Sequence, residues 1–353
     1  MATLSLCMIV KNEEEVLARC LKSCKNLFDE IIIVDTGSTD NTAKIAKTFT
    51  DKIFNFDWCD DFSLARNFSF SKAKGDYIMW LDADDVIPSK SLKQLLELKP
   101  KLSSDTYMLK YDIAFENGRP SFSYYRERII KNCNNAKWQG VVHECITPFG
   151  VVEKIDISIW HKKEKFTNSA RNLNIYKKLT KIRELNPREQ YYYGRELFDH
   201  KKYIQCYSVL DKFVTSGQGW QENIIDALAL MSRCQRVLKD DKKALSCLFK
   251  TFEYDAPRAN VCCQIADIFL SQQKYQQAIF WYDIATKCTD VSKKGGFVQN
   301  IYYNYYPYLQ LCFCHYCLGD NNTAYKYNKK AEKFNKSQET KHNNEYFKKV
   351  LGL

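Results

Sequence analysis

Two carboxylate residues, Asp82 and Asp84, follow a short hydrophobic run at residues 77–81, with Ala83 between them. In an open parallel sheet, ligands bind beyond the carboxyl ends of the strands. Two carboxylates at such an end offer hard oxygen ligands for Mg²⁺ or Mn²⁺, and the cation can neutralise the charge of a departing diphosphate. A helix cap followed by acidic first-turn residues produces the same pattern, so this motif needs support from other residues.

A second polar segment, residues 35–40, follows another apolar run and precedes a predicted helix. Asp35 could accept hydrogen bonds from a base N–H or a ribose hydroxyl, Gly37 permits a tight turn, and Ser38 or Thr39 can cap the helix. Helix capping without ligand binding explains the same residues, so both interpretations stay open.

Arg66 lies one helical turn into a third segment, residues 60–67. Its guanidinium could bind a phosphate or a carboxylate through two parallel hydrogen bonds. A surface ion pair with Asp57 or Asp61 is the alternative, and such exposed pairs contribute little to stability.

The elements that must position these residues alternate between strand and helix. Strands are predicted at residues 4–10, 30–35, 53–58 and 77–81. Helices are predicted at residues 13–25, from the end of the polar segment 35–40 through residue 48, and at residues 62–74. This alternation is typical of a parallel α/β sheet with right-handed crossovers. Further strands are predicted at residues 106–115, 124–130, 140–146 and 155–160, with a turn at 116–118. The sequence therefore predicts an α/β domain over residues 1–165.

The rest of the chain predicts helices. A linker helix is predicted at residues 169–185 and ends before Asn186-Pro187. Beyond it, small residues recur in like positions, separated by 38, 34 and 46 residues: Cys206, Ala244, Ala278 and Ala324. Such spacing suits TPR-like helical hairpins, in which a small residue lets paired helices approach. We therefore expect a linker over residues 166–187 and a TPR-like helical domain over residues 188–353.

Composition narrows the class of protein. The net charge of +11 favours anionic partners, but no tight basic cluster occurs, which argues against a nucleic-acid-binding module. The 15 cysteines are irregularly spaced, which favours reduced thiols in a cytoplasmic protein. No run of about 20 apolar residues occurs, so no transmembrane segment is predicted. The Cys-Phe-Cys-His-Tyr-Cys segment at residues 312–317 lacks a matching second pair, and no zinc site is expected there.

Four segments occur in the order and at the strand ends of one known family: residues 8–14, 35–40, 62–67 and 75–84. On these segments the chain resembles family 2 glycosyltransferases, which have the GT-A fold, a Rossmann-like mixed α/β sheet, and usually invert the anomeric centre. The segment Trp138-Gln139-Gly140-Val141-Val142-His143-Glu144 is similar to a Gly-x-Val-His-Glu segment of sublancin-type peptide S-glycosyltransferases, which modify bacteriocins.

The resemblance continues beyond the α/β domain. His161 matches a histidine that follows the last strand in those enzymes, and residues 171–173 and 193–197 match their linker helix and the start of their helical domain. Residues 162–164, Lys-Lys-Glu, depart from the Asn-Gly-Tyr type of turn found in related sequences.

The resemblance implies a UDP-sugar donor, with glucose or N-acetylglucosamine as the sugar, and Mg²⁺ or Mn²⁺ as the cofactor. The implied metal ligands are Asp82, Asp84 and His161, although a histidine after a strand also fits a structural role. The residues expected to bind the donor are Val10, Asn12, Glu13, Asp35, Thr36, Ser38, Asp61, Arg66, Asp82, Ala83 and Asp84.

Inversion requires a base on the face of the sugar opposite the diphosphate. Glu144 is the residue expected to take the acceptor proton, and His143 is the alternative because histidine titrates near neutral pH. A structural pair at a strand end also explains these two residues. A cysteine acceptor, whose free thiol has a pKa of about 8.5, would need only weak assistance from a base.

The sequence therefore favours transfer of a sugar to a Cys or Ser/Thr side chain of a peptide or protein. The helical domain is expected to hold that acceptor or to mediate a homodimer. The alternatives are a transferase acting on a cell-envelope saccharide or lipid-linked glycan, and a non-catalytic TPR scaffold. A nucleotidyltransferase is disfavoured because no Gly-rich, Lys-bearing loop follows the first strand.

Overall fold

The computed structural model describes residues 2–116, 119–162, 170–289, 291 and 299–353. It divides into two compact units, residues 1–178 and 179–353. The division falls within the segment predicted to be a linker helix.

The first unit is built around one mixed sheet. Its strands are β1 (Leu4–Val10), β2 (Glu30–Asp35), β3 (Ile53–Asn55), β4 (Tyr77–Trp80), β5 (Asp85–Val86), β6 (Thr106–Glu116), β7 (Arg119–Lys131), β8 (Trp138–Gln139), β9 (Cys145–Ile146) and β10 (Val152–His161). Eight of them form the sheet in the order β3-β2-β1-β4-β7-β6-β10-β5, and β8 pairs with β9 separately. The predicted strands of residues 4–81 are parallel to one another, as β1 pairs with β2 and β4 and β2 pairs with β3.

The sheet becomes mixed in its second half. Strand β7 is antiparallel to both β4 and β6, β10 is parallel to β6, and β5 is antiparallel to β10. The helices of this unit are α1 (Leu17–Ser23), α2 (Thr42–Lys47), α3 (Phe62–Phe70), α4 (Ser89–Leu98) and α5 (Arg171–Leu179). This arrangement confirms the predicted GT-A type of α/β domain.

The central strand β1 is buried on both faces. Leu6 and Met8 belong to the apolar cluster on one face, and Cys7, between them, belongs to the cluster on the other. Successive side chains of a strand point to opposite faces, and a parallel strand covered on both faces is apolar throughout. The two clusters therefore hold β1 in the interior of the unit and fix the position of its carboxyl end at the edge of the sheet.

Several predicted boundaries are wrong. Most of the predicted strand at residues 140–146 is absent: Gly140 (φ 96°) and His143 (φ 54°) leave the extended region, and only residues 145–146 form a strand, β9, which pairs with β8. Helix α1 covers only residues 17–23, β3 ends at Asn55 and α3 ends at Phe70. The predicted turn residues 117 and 118 and the start of the predicted linker helix, residue 169, lie outside the described residues.

The linker helix α5 is also shorter than predicted. The side chain of Asn186 accepts a hydrogen bond from the backbone of Glu189, and Pro187 occupies the first turn of the next helix. This capping box begins a new helix, so residues 184–186 cannot continue the previous one.

The second unit consists of paired helices. Its described helices are α6 (Pro187–Asp199), α7 (Tyr203–Ser216), α8 (Gln221–Val237), α9 (Asp241–Lys250), α10 (Ala259–Ser271), α11 (Tyr275–Lys287), α12 (Tyr305–Cys317), α13 (Asn321–Phe334) and α14 (Gln338–Leu351). The four recurrent small residues, Cys206, Ala244, Ala278 and Ala324, lie on α7, α9, α11 and α13 and are fully buried. This pattern confirms the predicted helical repeats. None of the helices in the described ranges is long and apolar enough to cross a membrane.

Candidate active site

A cavity of about 730 Å³ opens in the first unit beyond the carboxyl ends of β1 and β4. Of the predicted site residues, those that line it are Val10, Asn12, Glu13, Thr36, Arg66, Asp82, Ala83, Asp84, His143, Glu144 and His161. The lining residues that sequence reasoning did not assign to the site are Ile9, Lys11, Glu15, Val16, Trp58, Phe62, Val142, Arg171 and Asn172. The structure thus brings most of the predicted donor, metal and base residues to one cavity.

Arg66 joins two carboxylates across this cavity. Its Nε donates to Glu144 Oε1 at 2.6 Å, and its Nη2 donates to Asp82 Oδ1 at 2.7 Å. The guanidinium lies 4.6 Å from the ring centroid of Trp138, a distance at which a cation is attracted to an aromatic face. The side chain of Arg66 is only 10% exposed, so the predicted alternative of a surface pair with Asp57 or Asp61 is wrong.

Helix α3 aims Arg66 at the cavity because its first turn is fixed. The Asp61 side chain accepts a hydrogen bond from Leu64 N at 3.0 Å and so caps the helix. Phe62 N donates to Val141 O at 2.9 Å, which ties the same turn to the loop that carries Glu144.

Asp82 is held as an anion. Burial raises the pKa of its carboxyl group, but the charges of Arg66 and Arg128 outweigh burial and bring the pKa to about 2. Its Oδ1 already accepts a hydrogen bond from Arg66. Asp82 therefore presents a permanent negative charge beside Asp84.

A second cluster, of which Asp84 and His161 line the same cavity and Asp85 is buried behind them, has the donor set of a metal site. Asp84, Asp85 and His161 each place one ligand atom within 4.8 Å of the others. His161 Nδ1 lies 3.3 Å from Asp84 Oδ1 and 3.5 Å from Asp85 Oδ1. The pairing of β10 with β5 creates this contact, because His161 is the register partner of Asp85.

These groups fit a divalent cation. Carboxylate oxygens suit Mg²⁺ and Mn²⁺, and an imidazole nitrogen suits transition ions. Burial lowers the pKa of His161, but hydrogen bonds to Asp84 and Asp85 outweigh burial and raise it to about 10. A cation bound here would therefore displace a proton, as is general for metal sites in proteins.

Sequence reasoning missed Asp85. One sequence feature could have pointed to Asp85. It is a third carboxylate directly after Asp84 and before the apolar pair Val86-Ile87, so a polar residue lies in a segment that is otherwise expected to be buried. The side chain of Asp85 is fully buried, which a sequence pattern alone does not show.

The segment at residues 35–40 shapes the cavity through hydrogen bonds. Asp35 Oδ1 accepts from Gly37 N at 3.0 Å and from Ser38 N at 2.7 Å. Ser38 Oγ in turn accepts from Asn12 N at 3.0 Å, and Asn12 adopts a positive φ of 55°. The loops that follow β1 and β2 are thereby locked together. Asp35, Ser38 and Asp61 do not line the cavity, and direct contact of these residues with a donor stays a prediction.

His143 and Glu144 lie side by side in the loop between β8 and β9. Glu144 has a side chain only 11% exposed and bonded to Arg66, whereas His143 sits at a positive φ of 54°. Left-handed backbone at a residue other than glycine is uncommon and concentrates at functional sites. Both residues line the cavity, so the choice of base between them stays open.

Lys162, which follows His161, is bonded to the main chain of the Asp84 cluster. Lys162 N donates to Asp84 O at 2.9 Å, and Arg19 Nη2 donates to Lys162 O at 2.6 Å. Lys163 and Glu164, which depart from the pattern of the related enzymes, lie outside the described residues.

Known proteins resemble the chain in the region of this site. Residues 5–159 match the profile of glycosyl transferase family 2. The SPbeta prophage-derived glycosyltransferase SunS of Bacillus subtilis is 26% identical over 310 residues, which cover 82% of this chain and 69% of that protein. The family 2 glycosyltransferase match therefore lies in the first unit, which also contains the cavity and its carboxylates. Both the predicted family resemblance and the predicted enzyme class are confirmed.

Two further similarities are more partial. A TPR repeat-containing protein of Synechococcus elongatus is 39% identical over 147 residues, 41% of this chain, and the match spans about a third (36%) of that relative's length. Among solved structures, TarS of S. aureus (residues 1–349) has a TM-score of 0.41 and 14% identity, and the match covers 69% of this chain and 90% of that one.

Proposed function

We propose that this chain is an inverting, cation-dependent glycosyltransferase that moves glucose or N-acetylglucosamine from a UDP-sugar to a Cys or Ser/Thr side chain of a peptide or protein. The observation that carries the proposal is the shared cavity. It holds the Asp84–His161 pair, 3.3 Å apart, together with the Arg66 bridge between Asp82 and Glu144.

The Asp84–His161 pair and the Arg66 bridge would have separate roles in the transfer. Asp84 and His161, with Asp82 beside them, would hold Mg²⁺ or Mn²⁺, which supplies positive charge to the diphosphate as it leaves. Thr36 and Asn12 line the part of the cavity formed by the β1 and β2 loops, where the nucleoside would bind beyond the strand ends.

Glu144 is the proposed base. Its carboxylate is fixed by Arg66 Nε and faces the cavity, so it can accept the acceptor's proton as the new glycosidic bond forms. His143 is the second candidate for the same step. A thiol acceptor would depend less on either residue, since its pKa of about 8.5 leaves a fraction already ionised near neutral pH.

The helical unit would bind the acceptor. Repeats of helical hairpins present extended surfaces that suit peptides, and the same surfaces also support homodimers.

All 15 cysteines are free thiols, which fits a reducing, cytoplasmic location for the enzyme.

Intact-mass spectrometry tests the acceptor and the sugar together. The purified chain is incubated with UDP-glucose or UDP-N-acetylglucosamine, Mn²⁺, and a panel of peptides that differ only in Cys, Ser or Thr. The proposal expects one hexose or one N-acetylhexosamine on a peptide of the panel. Transfer only to cell-envelope saccharides or lipid-linked glycans would establish the alternative acceptor class, and failure to bind any nucleotide sugar would indicate a scaffold.

A further inference from the structure

One surface of the active-site cavity is apolar, and the proposed roles of the donor, metal and base residues do not use it. Trp58 and Phe62 both line the cavity, and their ring centroids lie 4.7 Å apart with the ring planes inclined at 67°. Edge-to-face contact of this kind is a favourable aromatic geometry. Val142 lines the cavity as well. We call the surface formed by Trp58, Phe62 and Val142 the aromatic wall.

The aromatic wall is continuous with the loop that carries the proposed base. Phe62 N donates to Val141 O at 2.9 Å, and Val142, the next residue, lies two positions before Glu144. Phe62 also lies one helical turn before Arg66 on α3, and Arg66 Nε bonds to Glu144. The acceptor atom has to reach Glu144 to lose its proton, so the groups on either side of that atom come close to the aromatic wall.

Helix α5 supports the aromatic wall from behind its rings and main chain. The guanidinium of Arg171 lies 4.6 Å from the ring centroid of Phe62, a distance at which a cation is attracted to an aromatic face. Tyr176, which is fully buried, donates from Oη to Val142 O at 3.4 Å. The wall is therefore held in place by the fold before any ligand binds.

The Trp58 ring is oriented by a separate set of hydrogen bonds. Its Nε1 donates to Asp60 Oδ1 at 3.0 Å, and Lys178 Nζ of α5 donates to Asp60 Oδ2 at 2.6 Å. Asp60 has a positive φ of 62°, which is uncommon for a residue other than glycine and concentrates at functional sites.

These bonds decide what the aromatic wall can bind. The indole nitrogen is the one polar side-chain atom that Trp58, Phe62 and Val142 possess, and it already donates to Asp60. Sugar hydroxyls placed against the wall would lose their bonds to water without replacement, which costs free energy. An apolar side chain gains from the same contact because it needs no hydrogen bond.

We propose that the aromatic wall is a specificity subsite for the acceptor peptide and selects an aromatic or large aliphatic side chain next to the Cys, Ser or Thr that receives the sugar. This inference rests on the proposed function, because it requires a peptide acceptor beside Glu144. Burial of one large apolar side chain strengthens binding about 10-fold or more. The wall therefore raises kcat/KM for such peptides and leaves the affinity for UDP unchanged.

A series of peptides that differ only in the residues flanking the acceptor tests the inference. Each flanking position carries Ala, Leu, Phe or Glu, and kcat/KM is measured for the full chain with Mn²⁺ and with UDP-glucose or UDP-N-acetylglucosamine. We expect one flanking position at which Phe and Leu raise kcat/KM about 10-fold or more over Ala, while Glu gives no gain. Trp58→Ala should reduce this gain to within about twofold, with the UDP affinity measured by calorimetry within about twofold of wild type.

Two further variants guard against a loss of folding. Trp58→Leu keeps apolar bulk against Phe62 and should still lower kcat/KM for the Phe peptide about threefold or more, because the ring–ring contact is lost. Phe68→Leu is the matched control on the same helix. Its ring packs against Phe54 and Phe56 and does not line the cavity, so this variant should keep the preference of wild type.

The outcomes separate this inference from the proposed function. If wild type glycosylates all the peptides at similar kcat/KM, or if Trp58→Ala keeps the preference, the peptide acceptor stands and the subsite is overturned. If Trp58→Ala instead weakens UDP binding about 10-fold with no peptide present, the wall belongs to the donor site and the subsite is likewise overturned. If no peptide accepts the sugar and only saccharides do, the proposed function and the subsite fall together.

Discussion

Arg66 and Glu144 are 78 positions apart in the sequence, yet Nε of the first donates to Oε1 of the second at 2.6 Å. The other arm of the same guanidinium holds Asp82 at 2.7 Å. The guanidinium of Arg66 thus fixes the distance between Glu144, the proposed base, and Asp82. Neither carboxylate is free to reorient without breaking its ion pair with Arg66.

Replacement of Arg66 is expected to damage both stability and activity. Arg66→Met would leave Asp82 and Glu144 as neighbouring carboxylates without their shared counter-charge, and loss of one partner of a buried pair costs about 3–5 kcal/mol. Arg66→Lys should restore part of the stability but little activity, because an ammonium cannot reproduce the two-armed geometry. Urea unfolding and kcat/KM measure the two effects. Wild-type kcat/KM in Arg66→Lys would contradict the bridging role.

The base is identified by two substitutions compared side by side. Glu144→Gln keeps an oxygen that can accept from Arg66 but removes the basicity, so kcat should fall about 10²–10⁴-fold while UDP affinity changes little. The kcat of His143→Ala should fall less than that of Glu144→Gln. The opposite ranking, with the larger loss in His143→Ala, would assign the proton transfer to His143 instead.

The first unit should lose stability in acid through Glu30. Burial raises the pKa of this side chain, but hydrogen bonds from Lys52, Ser5 and the backbone of Lys74 outweigh burial and lower the pKa from 4.5 to about 2. A depressed carboxyl pKa contributes stability that is complete above the unfolded value and disappears as the pH falls through the folded value. This contribution should therefore be lost between about pH 4.5 and pH 2.

Glu30→Gln isolates that contribution. The side chain of Glu30 is only 8% exposed, and the shift corresponds to an upper bound of about 3 kcal/mol at pH 7. Urea unfolding at pH 7, 4 and 2.5 should show a destabilisation of Glu30→Gln that shrinks with acidity. Equal destabilisation at pH 7 and pH 2.5 would show that the ionised form has no special role.

The helical unit depends on a close approach of α6 to α7. A Cβ atom added at Gly194 would lie 2.3 Å from Leu210 Cδ2. Gly194→Ala should therefore lower the free energy of unfolding by about 1–3 kcal/mol, since a packed core has no space for the extra methyl group. Gly194→Ala combined with Leu210→Ala should recover part of the loss, and no interaction between the two substitutions would contradict the packing argument.

Local sequence patterns were sufficient for the first four strands. Residues 4–10 are apolar except for Ser5, and residues 31–34 are apolar throughout, which fits short buried parallel strands between polar turns. The position of Asp82 and Asp84 at a strand end followed from the apolar run at residues 77–81. The small residues at Cys206 and Ala278 similarly predicted the helical hairpins.

The remaining features depend on contacts between distant residues. Nothing in residues 140–146 indicates that His143 adopts a left-handed backbone, because this conformation is imposed by the tertiary fold around the cavity. The partner of Arg66 could not be chosen from sequence, since Glu144, Asp61 and Asp57 are equivalent as isolated carboxylates. Asp85 was missed because its contact with His161 depends on the pairing of β5 with β10, which are 66 or more residues apart.

The most direct test of the account is the calorimetric affinity of the chain for UDP with and without Mn²⁺, in wild type and in Asp84→Ala. Asp156→Ala is the control, because Asp156 lies on the same strand as His161 but has a side chain 82% exposed. We expect Mn²⁺ to strengthen UDP binding about 10-fold or more in wild type and in Asp156→Ala, and this gain to vanish in Asp84→Ala while the fold persists. UDP binding that is indifferent to Mn²⁺ in wild type, or a gain that survives in Asp84→Ala, would contradict it.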